Sequence, residues 1–194
     1  MNIPSASGSL ETWLERPAAP SGVCAVLCHP HPLYGGSMHD GVLDCLARAL
    51  LDAGATCLRF NFRGVGASSG SYDGGEGEID DLLAAIDWIE ANEAPTELWL
   101  GGYSFGAFVA WESLAKGAAP ARVLLVAPPV GRIPFTSRLP DCRVDVFAGD
   151  RDEFVDQAVL AGWTSVNTHL IADADHFFTG CRDDLQRRIE LAID

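Results

Sequence analysis

The chain has little positive charge and no long apolar run. Lys and Arg number 13 against 27 Asp and Glu among 194 residues, a formal net charge of -14 with a pI near 4.5. Phosphate backbones and anionic lipids carry the same sign, so electrostatics work against nucleic acid and membrane surfaces as partners. No stretch approaches the roughly 20 consecutive apolar residues of a spanning helix, and the opening MNIPSASGSLETWLERP lacks a basic leader followed by an apolar run. The expectation is a mature cytoplasmic protein. An internal repeat, a low-complexity linker and a break in composition are also missing, which leaves one domain over residues 1–194. Cysteine is not scarce, at six, but without an export signal the six read as reduced, buried small residues rather than a disulfide framework. Cys24 and Cys28 lie four residues apart on one predicted strand, too far for a mutual bond.

Hydrophobic residues make up 48% of the chain, enough for a full core. Apolar, β-rich runs at residues 10–14, 23–28, 56–60, 98–101, 123–126, 144–147 and 168–171 alternate with segments of helical period. That alternation predicts an α/β fold: a mostly parallel sheet of about seven strands, most of them buried on both faces, with helices covering each face. Ser37 followed by Asp40 has the pattern of a capping box for a helix running to about Ala53, with Gly54 ending it. Ile79, Leu82, Leu83, Ile86 and Ile89 form an apolar stripe opposite Asp80, Asp87 and Glu90. Leu185, Ile189 and Ile193 repeat the pattern in the last helix.

Chemistry enters at Gly102-Tyr103-Ser104-Phe105-Gly106, which follows the strand ELWLG and opens the helix-compatible run FGAFVAWESLA. A serine on a sharp strand-to-helix turn takes a strained backbone, and flanking glycines are needed where side chains would collide with the neighbouring strand and helix. The turn lifts the hydroxyl above the sheet and leaves the Phe105 N–H free at the helix start for a developing oxyanion. A serine hydroxyl needs a base, and the base needs a carboxylate that holds its tautomer. Asp150 and Asp152 lie in the loop after the strand RVDVFAG, and His176 lies after the strand HLIA. Parallel strands bring their carboxyl ends to one edge of the sheet, so these groups converge with Ser104 in the order serine, acid, histidine. Asp173 and Asp175 read as loop charges.

Taken together, His29-Pro30-His31-Pro32, NFRGVGASSG, GGYSFG, GDRDEFV and ADADHFF resemble the α/β-hydrolase superfamily along nearly the whole chain, in particular its small bacterial branch without a lid domain. In that family the acid lies in a Gly-x-x-Asp-x-x-Val loop, and the resemblance places it on Gly149, Asp152 and Val155, favouring Asp152 over Asp150. It also implies a second oxyanion donor in the loop after the strand VCAVLC. Pro30 and Pro32 have no N–H, so His31 aligns with the residue after the family's His-Gly pair, with Leu33 and Tyr34 as fallbacks. The sequence departs from the pair itself, having His29-Pro30.

The activity implied is acyl transfer to water by Ser104, His176 and Asp152 on a small ester or thioester, falling as the pH drops because a protonated imidazole cannot act as base. A peptidase or acyltransferase using the same residues, or a non-catalytic relative that binds a ligand or partner in the cleft, are the alternatives. Residues 127–143 are too few for a substantial lid, so the site is expected to be open, with Leu33, Tyr34, Tyr103, Phe105, Phe135, Phe154 and Phe177 as candidate lining. His29-x-His31 with His39 nearby raises a metal reading, but nothing in that loop completes a convincing ligand set. His169 reads as a packed or edge histidine. Arg63 to Gly70 is glycine-rich, yet Ser69 stands at the third glycine position and no Gly-Lys-Ser/Thr is present, so a nucleotide cofactor is not expected.

Overall fold

The computed structural model describes residues 1–137 and 141–194. Eight strands form one sheet: β1 (Asn2–Ser5), β2 (Gly8–Glu15), β3 (Val23–Cys28), β4 (Thr56–Phe60), β5 (Glu97–Tyr103), β6 (Arg122–Val126), β7 (Arg143–Gly149) and β8 (Asn167–Ile171). Their spatial order is β1-β2-β4-β3-β5-β6-β7-β8, with β2 pairing antiparallel to both β1 and β4 and every other pair parallel. β1 is one strand more than the sequence predicts. It is a four-residue edge strand with Pro4 in it, and its single buried side chain, Ile3, pairs in register with Leu10; one apolar residue makes no pattern that periodicity can detect.

Among the described residues five α-helices complete the fold, α1 (Gly41–Asp52), α2 (Glu76–Glu93), α3 (Phe105–Ala115), α4 (Gln157–Ala161) and α5 (Arg182–Ile193), with a short 3-10 turn at Pro32–Tyr34. Two neighbouring glycines in β5 show how the faces are shared. A Cβ on Gly101 would lie 2.8 Å from Leu46 of α1, and one on Gly102 would lie 2.2 Å from the Gly106 carbonyl of α3. Successive strand residues point to opposite faces, so α1 and α3 cover opposite sides. α1 packs on α5 and α2 packs on α3. β4 and β6 are buried at every position because both of their faces are covered, whereas β8, at the sheet edge, buries only Ile171.

The cap of α1 is Asp40 rather than Ser37. One Asp40 carboxylate oxygen accepts the N–H groups of Val42 (2.8 Å) and Leu43 (3.1 Å), while Ser37 stays in the preceding turn and accepts from His39 N–H. Gly54, with φ of 88°, follows the helix end as expected. In the last helix Leu185 and Ile189 are fully buried, while Ile193 is only partly so. All six cysteines are free thiols, and burial pushes Cys24, Cys28, Cys45 and Cys57 toward the un-ionised form. His169 packs flat on Phe147, its ring nitrogen 3.0 Å from the buried Asp145. Arg138, Leu139 and Pro140, within the segment too short for a lid, lie outside the described residues.

Candidate active site

Ser104 sits between the end of β5 and the start of α3 with φ of 54° and ψ of -117°, a backbone conformation costly for any residue with a Cβ. The chain is held there by the Ser104 N–H on the Val126 carbonyl (2.9 Å) and by the Ser104 carbonyl accepting from Ala107 N–H (2.9 Å). The glycines on either side permit it. A Cβ on Gly102 would strike α3 backbone, and one on Gly106 would lie 2.2 Å from the Cys28 carbonyl at the end of β3. The strained turn and the close helix–strand contact are therefore one construction, and it leaves Ser104 partly exposed above the sheet.

The ring of His176 reaches that serine across 72 residues of sequence: Nε2 lies 3.0 Å from Ser104 Oγ, and Nδ1 lies 2.8 Å from Asp152 Oδ2. The Asp152 side chain is fully buried, and its other oxygen accepts the Phe154 N–H at 2.8 Å. A carboxylate only accepts, so Nδ1 carries the proton and Nε2 is left as acceptor for the serine hydroxyl. Asp150 points into solvent, its N–H tied to the Ile171 carbonyl. The acid and histidine loops are locked together by the Arg151 N–H on the Ala174 carbonyl (3.1 Å) and by an Arg151–Asp173 ion pair. Gly149 allows this approach, since a Cβ there would lie 2.1 Å from the Ala174 carbonyl. That is the physical need behind the glycine of the Gly-x-x-Asp loop.

On the other side of the serine, the candidate oxyanion donors can be sorted by their existing partners. Leu33 N–H donates to His31 Nδ1 (3.2 Å) and Tyr34 N–H donates to the His31 carbonyl (3.1 Å). Both fallback groups are thus occupied. Among the described residues the N–H groups of Phe105 and His31 have no such partner. The His31 ring packs against Tyr34, Tyr72 and Phe105 with centroids 4.7 to 4.9 Å away, and burial shifts it toward the neutral form.

A family model described as the alpha/beta hydrolase fold matches residues 26–127. The chain belongs to this family. An uncharacterized protein of Rickettsia prowazekii (strain Madrid E) is 34% identical over 198 residues, covering 94% of this chain and 83% of that one. Among solved structures, an alpha-beta serine hydrolase homologue from Coxiella burnetii is 35% identical with a TM-score of 0.94, covering 100% of this chain and 96% of that one. A lidless α/β serine hydrolase from Xanthomonas campestris is 36% identical, also with a TM-score of 0.94, covering 100% and 92%.

In this α/β-hydrolase the expected lining residues divide into three groups. Leu33, Tyr34, Phe154 and Phe177 form an exposed rim, with Phe154 4.4 Å and Phe177 5.4 Å from the His176 ring. Phe135 is half-buried away from the histidine, packed on Phe108, Trp111 and Trp163. Phe105, packed on His31 and Tyr72, and Tyr103 are both buried, and Tyr103 does not face a pocket because its hydroxyl donates to the His176 carbonyl at 3.0 Å. Just beyond the glycine-rich loop, Tyr72 packs on His31 and Phe105, a contact that sequence reasoning missed. Arg63 at the start of that loop donates through its backbone and guanidinium to the buried Asp81 of α2, and those bonds raise the arginine's pKa.

His29 is not available as a ligand. Its Nδ1–H donates to the Pro30 carbonyl (2.6 Å), its Nε2 accepts the Phe62 N–H (3.0 Å), and burial lowers its pKa to about 4. It pins the His-Pro loop to the end of β4. Among the described residues no group of three His, Cys, Asp or Glu side chains is placed to hold a metal ion, and no helix is long and apolar enough to cross a membrane.

Proposed function

We propose that residues 1–194 act as one catalytic domain, a cytoplasmic carboxylic ester hydrolase with Ser104 as nucleophile, His176 as general base and Asp152 as the carboxylate that orients it. The observation that carries this reading is the unbroken hydrogen-bond chain from Ser104 Oγ to His176 to Asp152, built on a strained turn. His176 Nε2 takes the hydroxyl proton as Oγ attacks the acyl carbonyl, and Asp152 stabilises the imidazolium. The N–H groups of Phe105 and His31 hold the tetrahedral oxyanion. The histidine proton leaves with the alcohol or thiol, and a water activated by the same ring hydrolyses the acyl-enzyme. The exposed rim of Leu33, Tyr34, Phe154 and Phe177 suits small apolar acyl groups. The net charge of -14 favours small esters or thioesters over nucleic acid. Labelling by a fluorophosphonate probe and turnover of p-nitrophenyl acetate should both vanish in Ser104→Ala. A folded wild type that neither labels nor hydrolyses ester overturns the reading.

A further inference from the structure

We propose that Tyr103 is a positioning residue whose hydroxyl locks the histidine loop onto the nucleophile elbow. The inference rests on Ser104 and His176 being the reacting pair.

Tyr103 immediately precedes Ser104, and its backbone pairs in register with Val126 of β6, whose carbonyl also receives the Ser104 N–H. Its position is therefore that of the elbow. Its phenol oxygen lies 3.0 Å from the carbonyl of His176, 73 residues away in sequence, with the two rings 5.6 Å apart. The histidine loop needs such a tie. It is bracketed by Asp173 at φ of 61° and Phe178 at φ of 52°, both costly for residues with a Cβ. Its other described anchors run elsewhere: Ala174 to Arg151 N–H in the acid loop, and the Asp175 carboxylate to the N–H groups of Phe177 (3.1 Å) and Thr179 (2.9 Å) within the loop itself. These fix the histidine relative to Asp152. Only the phenol, among the described hydrogen bonds of this loop's backbone, fixes it relative to Ser104.

The site suits a permanent donor. Burial raises the phenol's pKa, so the group stays protonated across the working range. Without it the His176 carbonyl, inside the core, would have no described partner. A shift of the loop would be felt directly in the 3.0 Å Nε2···Oγ contact, where a displacement of about 1 Å costs on the order of a hundredfold in rate.

Tyr103→Phe in the full chain removes only the hydroxyl. The expected result is a loss of about tenfold to a hundredfold in kcat for p-nitrophenyl acetate and in fluorophosphonate labelling rate, with KM unchanged. In protein labelled with 15N-histidine, the His176 ring should stay protonated at Nδ1 against Asp152 in both proteins, while the Nε2 resonance, which reports the contact with Ser104 Oγ, should shift in the variant. A reactive wild type with a variant matching its rates and its His176 spectrum overturns the proposal. So does a rate loss with an unchanged spectrum, which marks a stability effect. Wild type alone provides a further check: the Tyr103 hydroxyl proton should exchange slowly enough to be seen, and its absence also overturns the proposal. If wild type does not label at all, the hydrolase reading fails, while the spectra, which need no turnover, still decide the anchoring.

Discussion

Asp152→Asn should remove most of the activity while leaving the fold intact, and the surrounding hydrogen bonds say why. The two carboxylate oxygens have different partners, His176 Nδ1 at 2.8 Å and the Phe154 N–H at 2.8 Å. An asparagine of the same shape must choose. If its oxygen faces Nδ1–H, its amide N–H groups confront the Phe154 N–H, two donors in a buried space. The opposite orientation satisfies Phe154 and turns the amide N–H toward Nδ1, which then becomes the acceptor. The ring proton moves to Nε2, where it faces Ser104 and can no longer accept the hydroxyl proton. A wrong tautomer of this kind costs about 10⁴ in kcat, or about 5 kcal/mol of transition-state stabilisation. Asp150→Asn, in solvent, should stay within about twofold. The assay is kcat for p-nitrophenyl acetate together with fluorophosphonate labelling rate, with circular dichroism confirming the fold. Equal losses for the two variants, or Asp152→Asn within tenfold of wild type, would refute the assignment of the acid.

Ser104→Gly should be inactive yet more stable than Ser104→Ala by about 1 kcal/mol, because glycine removes the cost of φ at 54°; urea midpoints of the two variants measure the difference. Gly106→Ala should lose about 3 kcal/mol or more or fail to accumulate, since its Cβ would lie 2.2 Å from the Cys28 carbonyl. Thermal melts decide this, and a wild-type melting temperature would show that the helix–strand contact is looser than described. His29, with its folded pKa lowered to about 4 from an unfolded value near 6.5, binds fewer protons when folded. Its contribution to stability is therefore complete above about pH 6.5 and is lost as the pH falls toward 4, up to about 3 kcal/mol. Urea unfolding across that range should be less steep in pH for His29→Gln than for wild type, and parallel curves would count against this role for His29.

How much could be read in advance differed from element to element. β3 and β6 were legible because strands covered on both faces are near-continuous apolar runs, β4 and β7 because their apolar runs are broken by a single charged residue, Arg59 or Asp145, and β1 was not because it buries only Ile3. The cap of α1 moved from Ser37 to Asp40 because either could start a helix, and only the turn that precedes it selects one.

The sequence by itself determined the kind of fold and the chemistry on offer. Ser104 between two glycines, and Asp152 and His176 after successive strands, are local arrangements, and a parallel sheet delivers such loops to one edge. Only the tertiary structure decided which atoms meet. It set Asp152 rather than Asp150 against His176, occupied the N–H groups of Leu33 and Tyr34 while leaving that of His31 without a partner among the described residues, and turned Tyr103 from the pocket to the His176 carbonyl. The contacts of His176 with Asp152 and Tyr103 depend on segments 24 and 73 residues apart approaching to within a few tenths of an ångström, and the local bonds of Leu33 and Tyr34 to His31 depend on the turn that the surrounding loop imposes. Residue order carries which segments neighbour one another, whereas hydrogen-bond distances are set by the packing of the whole sheet and its helices.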